Sequence, residues 1–298
     1  MLDREGGAVV GRALAPGDKP RAVLVRLGAG GPVLADPASP FLRADDVGVL
    51  RGDGVFERFL VQGGRPRHLS EHLARLARSA HLTDLEVPGP EQWRAAVDAG
   101  LKAWPGPPEW EMRLVSTRGP EAGGPPSPYV LGQELSAALL RQRRDGVAVV
   151  TVSRGSPSGL VDVPWLLLGA KTLSYAVNMA AKRWAVSQGA EDAIFVGTDG
   201  VVWEGGTSAV VVAFGRGLVS PPPSVGILDS ISVARLFTVA AGAGWEVARR
   251  GLAVDDLFAA DGLWLSSSLR FVRVHTVDGK GLPPAAAHAE LAALAAVS

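Results

Sequence analysis

The chain has 298 residues, of which 47% are hydrophobic and 20% are charged, and its 30 basic residues are balanced by 30 acidic ones. A net charge of zero gives no electrostatic reason to expect nucleic acid as a partner. The lack of cysteine excludes disulfides and cysteine-ligated zinc. No apolar run approaches the roughly 20 residues that span a bilayer, and residues 1–10 lack the basic and apolar regions of a signal peptide. We therefore expect a cytoplasmic globular protein with no membrane partner.

The first half of the sequence alternates strand and helix patterns. Residues 1–20 are rich in glycine and proline and are expected to be loose. A strand is predicted over residues 22–27, and the turn Gly52-Asp53-Gly54 leads into an alternating strand over residues 55–61. The next predicted elements are helices over 68–82 and 90–104 and strands over 111–118 and 129–131. Residues 134–145 are expected to hold the connection between two domains.

The helix predicted over residues 68–82 raises the question of a metal site. His68, Glu71 and His72 match the H-x-x-E-H zinc pattern, which places both imidazoles on one helix face. Such a site needs a third ligand downstream, and no later helix offers a suitably placed acid. We therefore expect no metal and interpret His72 as a structural histidine.

The stretch over residues 169–208 contains the groups that point to chemistry. Lys171 follows the apolar run 163–170, so its ammonium is expected to emerge from an apolar wall, where desolvation favours the neutral amine that Schiff-base formation needs. Lys182, by contrast, is expected on a solvated helix face. Glu204 ends a predicted strand just before two glycines, which allow a ligand to approach closely. The pair predicts a pyridoxal 5'-phosphate (PLP) enzyme, in which the carboxylate keeps the pyridine nitrogen protonated.

The remaining elements of the second half fit an α/β domain that opens with a buried strand over residues 146–152. Helices are predicted over residues 174–188, 233–241, 254–259 and 285–297. Strands are predicted over residues 193–197, 201–204, 209–214 and 262–265, with a final hairpin over 273–279.

Several segments resemble the class IV aminotransferase family, the fold-type IV PLP enzymes. These segments are Lys171-Thr-Leu-Ser-Tyr175, Asn178-Met179-Ala180, Gly189-Ala190-Glu191-Asp192 and the run over 199–208. Further motifs extend the resemblance from about residue 45 to residue 279. It implies a two-domain α/β fold, with a small N-terminal α/β domain at 1–137, a larger barrel-like domain at 138–298, and PLP in the cleft between them. It also implies a homodimer whose active sites borrow residues from the partner subunit.

The resemblance also implies roles for individual residues. Lys171 is the implied catalytic residue, which holds PLP as a Schiff base and then acts as general base and acid. The other implied cofactor-binding residues are Arg75, Tyr175, Glu204, Ile231, Ser232 and Ser267. Arg75 suits the phosphate because a planar guanidinium donates two parallel hydrogen bonds. The implied substrate-facing residues, for an amine or amino acid, are Phe56, Arg58, Arg113, Arg118 and Ser268.

The sequence indicates the family more clearly than it indicates the reaction. Serine at 230 and 232 and valine at 233 replace the family's usual Gly-Ile-Thr-Arg, and Ala209 stands where asparagine is usual, which leaves the substrate class open. The segments 171–179 and 51–57 look closest to aminodeoxychorismate lyase, an enzyme of folate biosynthesis that forms 4-aminobenzoate and pyruvate, and we favour that activity. The alternative is a transaminase of branched-chain amino acids, D-amino acids or amines. The branched-chain enzymes have a further arginine after the Phe-Glu strand, which is absent here, since Leu60 stands near that place. A second alternative is a non-catalytic PLP-fold binding protein.

Overall fold

Two β-sheets, one built from each half of the chain, form the framework of the fold. The computed structural model describes residues 21–298, so the loose segment expected at 1–20 lies outside the described residues. The strands of the first sheet are β1 Ala22–Gly28, β2 Gly31–Ala35, β3 Gly54–Gln62, β4 Arg65–Pro66, β5 Glu109–Thr117 and β6 Ser127–Glu134. They pair antiparallel throughout, in the order β2-β1-β6-β5-β3-β4.

The second sheet is mixed and larger. Its strands are β7 Val147–Ser153, β8 Asp192–Val196, β9 Val202–Gly205, β10 Ala209–Phe214, β11 Gly217–Ser220, β12 Glu246–Arg249, β13 Gly262–Ser267, β14 Arg270–Val277 and β15 Lys280–Gly281. The order is β12-β11-β10-β13-β14-β7-β8-β9, with β15 beside β14. Strand β7 runs parallel to both of its neighbours. All residues of β8 and nearly all of β10 are buried, as expected for strands that are covered on both faces.

Helices cover the sheets and connect them. They are α1 Val47–Arg51, α2 Leu69–Leu82, α3 Pro90–Ala103, α4 Ala137–Asp145, α5 Ala176–Ser187, α6 Ile231–Gly242, α7 Val254–Ala259 and α8 His288–Val297. No helix within residues 21–298 combines the length and the apolar character needed to cross a bilayer. Because α4 separates the strands of the two sheets along the chain, we propose that the domain boundary follows residue 137.

Helix α2 shows how sequence periodicity positions functional side chains. Its buried residues are His72, Leu73, Arg75, Leu76, Ser79 and Ala80. They recur with the spacing of one helix face. Leu76 and Ala80 pack with Phe59 of β3 in the core of the first half, and burying a leucine side chain typically stabilises a fold by about 1.5–3 kcal/mol. Because Arg75 and Ser79 share that face, the same packing fixes these two polar groups in position.

Candidate active site

A cavity of about 440 Å³ is lined by residues from both halves of the chain. The first half contributes Phe56 and Arg58 of β3 and Arg75 of α2. The second half contributes residues 166–172, the end of β9, the start of α6 and the turn after β13. A concave site built from several elements in this way is typical of cofactor and small-molecule binding.

Lys171 is held in this cavity by backbone hydrogen bonds to the first half of the chain. Its carbonyl accepts from the amide of Phe56 at 3.1 Å, and its amide donates to Ser79 Oγ at 3.0 Å. Its Nζ lies 3.3 Å from the Tyr175 hydroxyl and 4.4 Å from the centroid of the Phe56 ring. A cation over an aromatic face is attracted by the ring quadrupole. The two aromatic residues therefore orient the amine towards the cavity that it lines.

Glu204 is the one acid among the described residues that line the cavity. Burial raises the pKa of this carboxyl to about 7, against the lowering effect of Lys171 and the backbone of Leu228. At neutral pH it is therefore divided between its acid and carboxylate forms and can share a proton with a ring nitrogen. Nearby, Ser208 Oγ is buried in the cavity lining without a hydrogen-bond partner in residues 21–298. An unpaired buried hydroxyl favours a polar ligand, so this end of the cavity fits a cofactor ring with polar substituents.

Gly205 and Gly206, the two glycines that follow Glu204, let the backbone pack closely against neighbouring side chains. A Cβ at Gly205 would lie 2.7 Å from Ser208 Oγ, and one at Gly206 would lie 2.8 Å from Asp192 Oδ1. The carbonyl of Gly206 accepts a hydrogen bond from Asn178 Nδ2 at 2.9 Å. Side chains at these two positions would collide with Ser208 and Asp192, which explains the small residues after Glu204.

Arg75 is positioned for an anion. It donates from Nε and Nη2 to Glu57 at 2.7 and 2.8 Å, and from Nη1 to the carbonyl of Asp229 at 2.9 Å. These contacts use three of the five N–H donors of a guanidinium, so two remain for a ligand. An arginine with two donors still free in a cavity is suited to a phosphate group.

The start of α6 adds further groups for the same anion. The helix begins at Ile231 with Ser230 as its N-cap, and its first amides favour a negative charge. The side chains of Ser232 and Ser267 line the cavity, whereas that of Ile231 is buried and can offer only its amide. Arginine, helix amides and hydroxyls together are the donor set that a phosphate ester needs, so the residues present fit PLP.

Glu57 fixes the orientation of Arg75 through a buried network. Burial alone would raise the pKa of Glu57, but Arg75 and His72 lower it to about 2. His72 Nδ1 lies 2.6 Å from Glu57 Oε2, and its Nε2 lies 3.3 Å from Ser268 Oγ. Burial lowers the pKa of His72 despite the raising effect of Glu57, so the imidazole is neutral at pH 7. The histidine therefore connects the acid to the serine turn after β13.

The H-x-x-E-H segment does not assemble a metal site. His68 Nε2 lies 2.8 Å from the carbonyl oxygen of Ser298, while His72 contacts Glu57, so the two imidazoles have separate partners. In the part of the chain that the structure describes, no group of three or more His, Cys, Asp or Glu residues is arranged to hold a metal ion.

Most of the side chains that the sequence singled out meet at the cavity. Those in its lining are Phe56, Arg58, Arg75, Lys171, Tyr175, Glu204, Ser232, Ser267 and Ser268. Arg113 and Arg118 lie outside the lining. Arg113 Nη2 donates to Glu111 at 2.9 Å, and Arg118 Nε donates to Asp53 at 2.7 Å. In the single chain, these two arginines therefore pair with nearby carboxylates and do not line the cavity.

The cavity lining also contains three cations that the sequence analysis did not single out as site residues. They are Arg154, Lys182 and Arg270. Lys182 was expected on a solvated helix face, but its Nζ lies 3.8 Å from the buried Asp192. The signal for it was present in the spacing, since Asn178 and Lys182 are four residues apart and share one face of α5. Which side of the helix faces the cavity is set by the packing of α5 on the second sheet.

The chain is similar to known proteins along most of its length. Residues 54–277 match the model of the family described as amino-transferase class IV. The chain is also 45% identical over 261 residues to the bifunctional aminodeoxychorismate lyase / D-amino acid transaminase of Mycobacterium tuberculosis, which covers 84% of this chain and 90% of that one.

Solved structures share the fold. The PLP-bound form of a hypothetical aminotransferase from Mycobacterium tuberculosis has a TM-score of 0.89 at 43% identity, covering 92% of this chain and 98% of that one. The fold IV-transaminase CpuTA1 from Curtobacterium pusillum has a TM-score of 0.87 at 39% identity, covering 93% and 98%. These similarities confirm the fold type and the PLP-dependent enzyme class that the sequence predicted. The chain belongs to the class IV aminotransferase family of PLP-dependent enzymes.

Proposed function

We propose that this protein is an aminodeoxychorismate lyase that forms 4-aminobenzoate and pyruvate. The observation that carries the proposal is that Lys171, Glu204 and Arg75 line one cavity, and that Arg75 keeps two N–H donors that suit a phosphate. Transamination of D-amino acids is the second candidate activity, because the Mycobacterium tuberculosis relative is named for both reactions. A cytoplasmic place in folate biosynthesis is a prediction that goes with this reaction.

The cavity residues would hold the cofactor by its two ends. When bound, PLP supplies an aldehyde for covalent attachment and a ring that withdraws electrons from the substrate carbon. Arg75 would bind the phosphate with its two remaining N–H donors, together with the first amides of α6 and the hydroxyls of Ser232 and Ser267. Glu204 would hold a proton at the ring nitrogen, which its raised pKa of about 7 permits at neutral pH.

Lys171 would move the proton of the reaction. Its Nζ, oriented by Phe56 and Tyr175, takes a proton from the substrate carbon that bears the amine and later returns it, as general base and acid. In the lyase, proton loss is followed by elimination of pyruvate, whereas in the transaminase the proton is returned at a different carbon and a keto acid is released. The same lysine serves both reactions, so one site can support both activities.

Two assays on the same PLP-loaded protein test this proposal. We expect aminodeoxychorismate to yield equal amounts of pyruvate and 4-aminobenzoate, measured by a coupled dehydrogenase and by fluorescence. We expect a D-amino acid, added without a keto acid, to convert the cofactor to its amine form, measured by absorbance. A protein that binds PLP but fails in both assays would instead support the non-catalytic alternative.

Replacement of the lysine identifies the catalytic residue. We expect Lys171→Ala to lose both activities by a factor of 10² or more, and to leave PLP unattached after borohydride reduction, as measured by mass spectrometry. The matched control is Lys102→Ala, which removes a lysine from helix α3 outside the cavity. Covalent labelling that persists in the Lys171 variant would contradict the assignment.

We propose that the protein is a homodimer. Large apolar side chains are exposed beside the cavity-lining Leu166 in the chain and along α5: Trp165 is 79% exposed, Trp184 56% and Val186 67%. Exposed apolar groups gathered in this way mark an interaction surface. Sedimentation of the purified protein tests the proposal: we expect a dimer that Trp184→Glu weakens, and a monomeric native protein would overturn it.

A further inference from the structure

The hairpin between β13 and β14 brings Ser267 and Ser268 into the cavity lining. Ser267 pairs with Arg270 across the hairpin, so Ser268 and Leu269 form a two-residue turn. Turns of this length usually have a positive φ at one or both residues and contain glycine, asparagine or aspartate. Neither Ser268 nor Leu269 is one of those residue types, and neither has a positive φ. The sequence of the turn therefore does not fix its conformation by itself.

The next hairpin turn of the same sheet shows the difference. Val277 pairs with Lys280, and the turn between them is Asp278-Gly279, with φ angles of 49° and 76°. Asp-Gly is a favoured sequence for a turn with two positive φ angles. The turn between β14 and β15 is therefore specified by its own residues, whereas the turn after β13 depends on contacts with other parts of the chain.

An arginine outside the cavity lining makes the strongest of those contacts. Arg143 of α4 donates to the carbonyl of Leu269 from Nε, at 2.8 Å, and from Nη2. Its Nη1 donates at 3.1 Å to Glu109, at the start of β5. Hydrogen bonds from a charged donor are stronger than those between neutral groups. Arg143 therefore joins three parts of the protein: the helix between the two halves, the first sheet and the serine turn of the second sheet.

The position of Leu269 determines the position of the Ser267 hydroxyl. The Leu269 side chain is buried and packs with Leu60 of β3 and Leu139 of α4, and Leu139 lies on the same face of α4 as Arg143. The Leu269 amide donates to Ser267 Oγ at 3.4 Å. Because the hydroxyl oxygen accepts this bond, its own proton stays available for an acceptor in the cavity.

We propose that Arg143 is a positioning residue for cofactor binding. By binding the carbonyl of Leu269, it holds the turn in the conformation in which the Ser267 hydroxyl donates to the cofactor phosphate. This inference rests on the phosphate-binding role given to Ser267 under the proposed function, and it extends that role to a residue that does not line the cavity. Because Arg143 belongs to α4, the helix that connects the two halves also takes part in cofactor binding.

Titration of the apoprotein with pyridoxal and with PLP tests the proposal without any turnover. The two ligands have the same ring and aldehyde and differ in the phosphate, so we call the ratio of their dissociation constants, measured by absorbance, the phosphate preference. We expect Arg143→Gln to lower this preference by about fivefold or more, approaching the effect of one lost hydrogen bond to a charged group, and to change the dissociation constant of pyridoxal by less than about twofold. In a Ser267→Ala protein, Arg143→Gln should change the preference by less than about twofold, because the hydroxyl that Arg143 positions is already absent.

The substitutions are chosen to leave the chain folded, which circular dichroism verifies. Without Arg143, Glu109 is partly exposed and keeps a hydrogen bond from Gln62 Nε2 at 3.3 Å, so no buried carboxylate is left unpaired. Arg143→Lys keeps the charge beside Glu109 but donates from a single ammonium, so we expect its phosphate preference to lie between those of the native protein and Arg143→Gln. The matched control is Arg144→Gln at the next position of α4, where the exposed arginine pairs with Asp145, and it should leave the preference unchanged.

Each outcome has a defined meaning. An unchanged phosphate preference in both Arg143 variants would overturn the proposal, and so would equal weakening of PLP and pyridoxal, because a general loss of structure would then suffice. An undiminished effect of Arg143→Gln in the Ser267→Ala protein, or the same loss in Arg144→Gln, would also overturn it. Failure of the proposed function shows separately, as a protein whose phosphate preference depends on Arg143 but which turns over neither aminodeoxychorismate nor amino acids.

Discussion

Replacing Glu57 with glutamine removes the buried carboxylate that Arg75 and His72 share, while keeping the shape of the side chain. The fall in the pKa of Glu57 from 4.5 to about 2 measures how strongly its neighbours favour the charged form. At about 1.4 kcal/mol per pKa unit, this shift corresponds to about 3 kcal/mol of folding free energy at neutral pH. We expect the apoprotein of Glu57→Gln to lose about that much, because the guanidinium of Arg75 then stays buried without a counter-charge.

The pH dependence and the cofactor dependence of this loss distinguish it from a simple packing defect. Because the folded-state pKa of Glu57 is depressed, its contribution is present above pH 4.5 and is lost as the pH falls towards 2. The native and variant proteins should therefore converge in stability on acidification. Saturating PLP should also narrow the gap at pH 7, since the phosphate supplies the missing charge to Arg75.

Urea unfolding of the apoprotein at pH 7 and at pH 3, and of the PLP-loaded protein at pH 7, measures the loss of stability at neutral pH, its decrease on acidification and its decrease when PLP is bound. The control is Glu121→Gln, whose exposed ion pair with Arg51 should contribute at most about 1 kcal/mol. A Glu57→Gln apoprotein within about 0.5 kcal/mol of native at pH 7 would refute the reasoning, and so would a loss that does not change with pH.

Two further substitutions probe the cofactor end of the cavity. Glu204→Gln should make the apoprotein more stable than native at pH 8 but not at pH 4.5. Because the folded-state pKa of Glu204 is about 7, the stability of the native apoprotein falls as the pH rises from 4.5 to 7. Urea unfolding at pH 8 and at pH 4.5 checks this prediction. The same variant should lose turnover on the order of 10²-fold while PLP still attaches to Lys171, as shown by absorbance. Gly206→Ala should lower the unfolding free energy by about 1–3 kcal/mol, because its Cβ would lie 2.8 Å from Asp192 Oδ1. Gly242→Ala meets nothing within 4 Å and should not destabilise, so equal stabilities for the two alanine variants would contradict the packing argument.

Local sequence signals located the elements whose side chains line the cavity. The strand predicted over 209–214 has those bounds in the structure, because its run of apolar residues is buried on both faces. The helix predicted from His68 begins one residue later, at Leu69, because His68 has a φ of 53° and cannot take part in the helix. Lys171 and Glu204 were singled out from the same kind of signal, since each stands at the edge of an apolar run beside small residues, and both line the cavity.

Features that depend on packing between distant segments could not be predicted in this way. Strand β6 was predicted over only 129–131 but extends over Ser127–Glu134, because β1 and β5 pair with it on both sides. Lys182 was assigned to a solvated helix face, although the packing of α5 turns it into the cavity. The position of a cation relative to a cavity depends on tertiary contacts, which periodicity within one helix does not contain.

The position of Arg75 explains why the cofactor site requires both halves of the chain. The residue belongs to α2 and is fixed by Glu57 of β3, yet it also donates to the carbonyl of Asp229 just before α6. Lys171 makes the reverse connection, since its backbone bonds to Phe56 and to Ser79 of the first half. A phosphate bound to Arg75 and a cofactor attached covalently to Lys171 would therefore contact the two residues that connect the halves. Because a ligand that binds only the assembled form stabilises it, PLP should hold the two halves together as well as supply the chemistry.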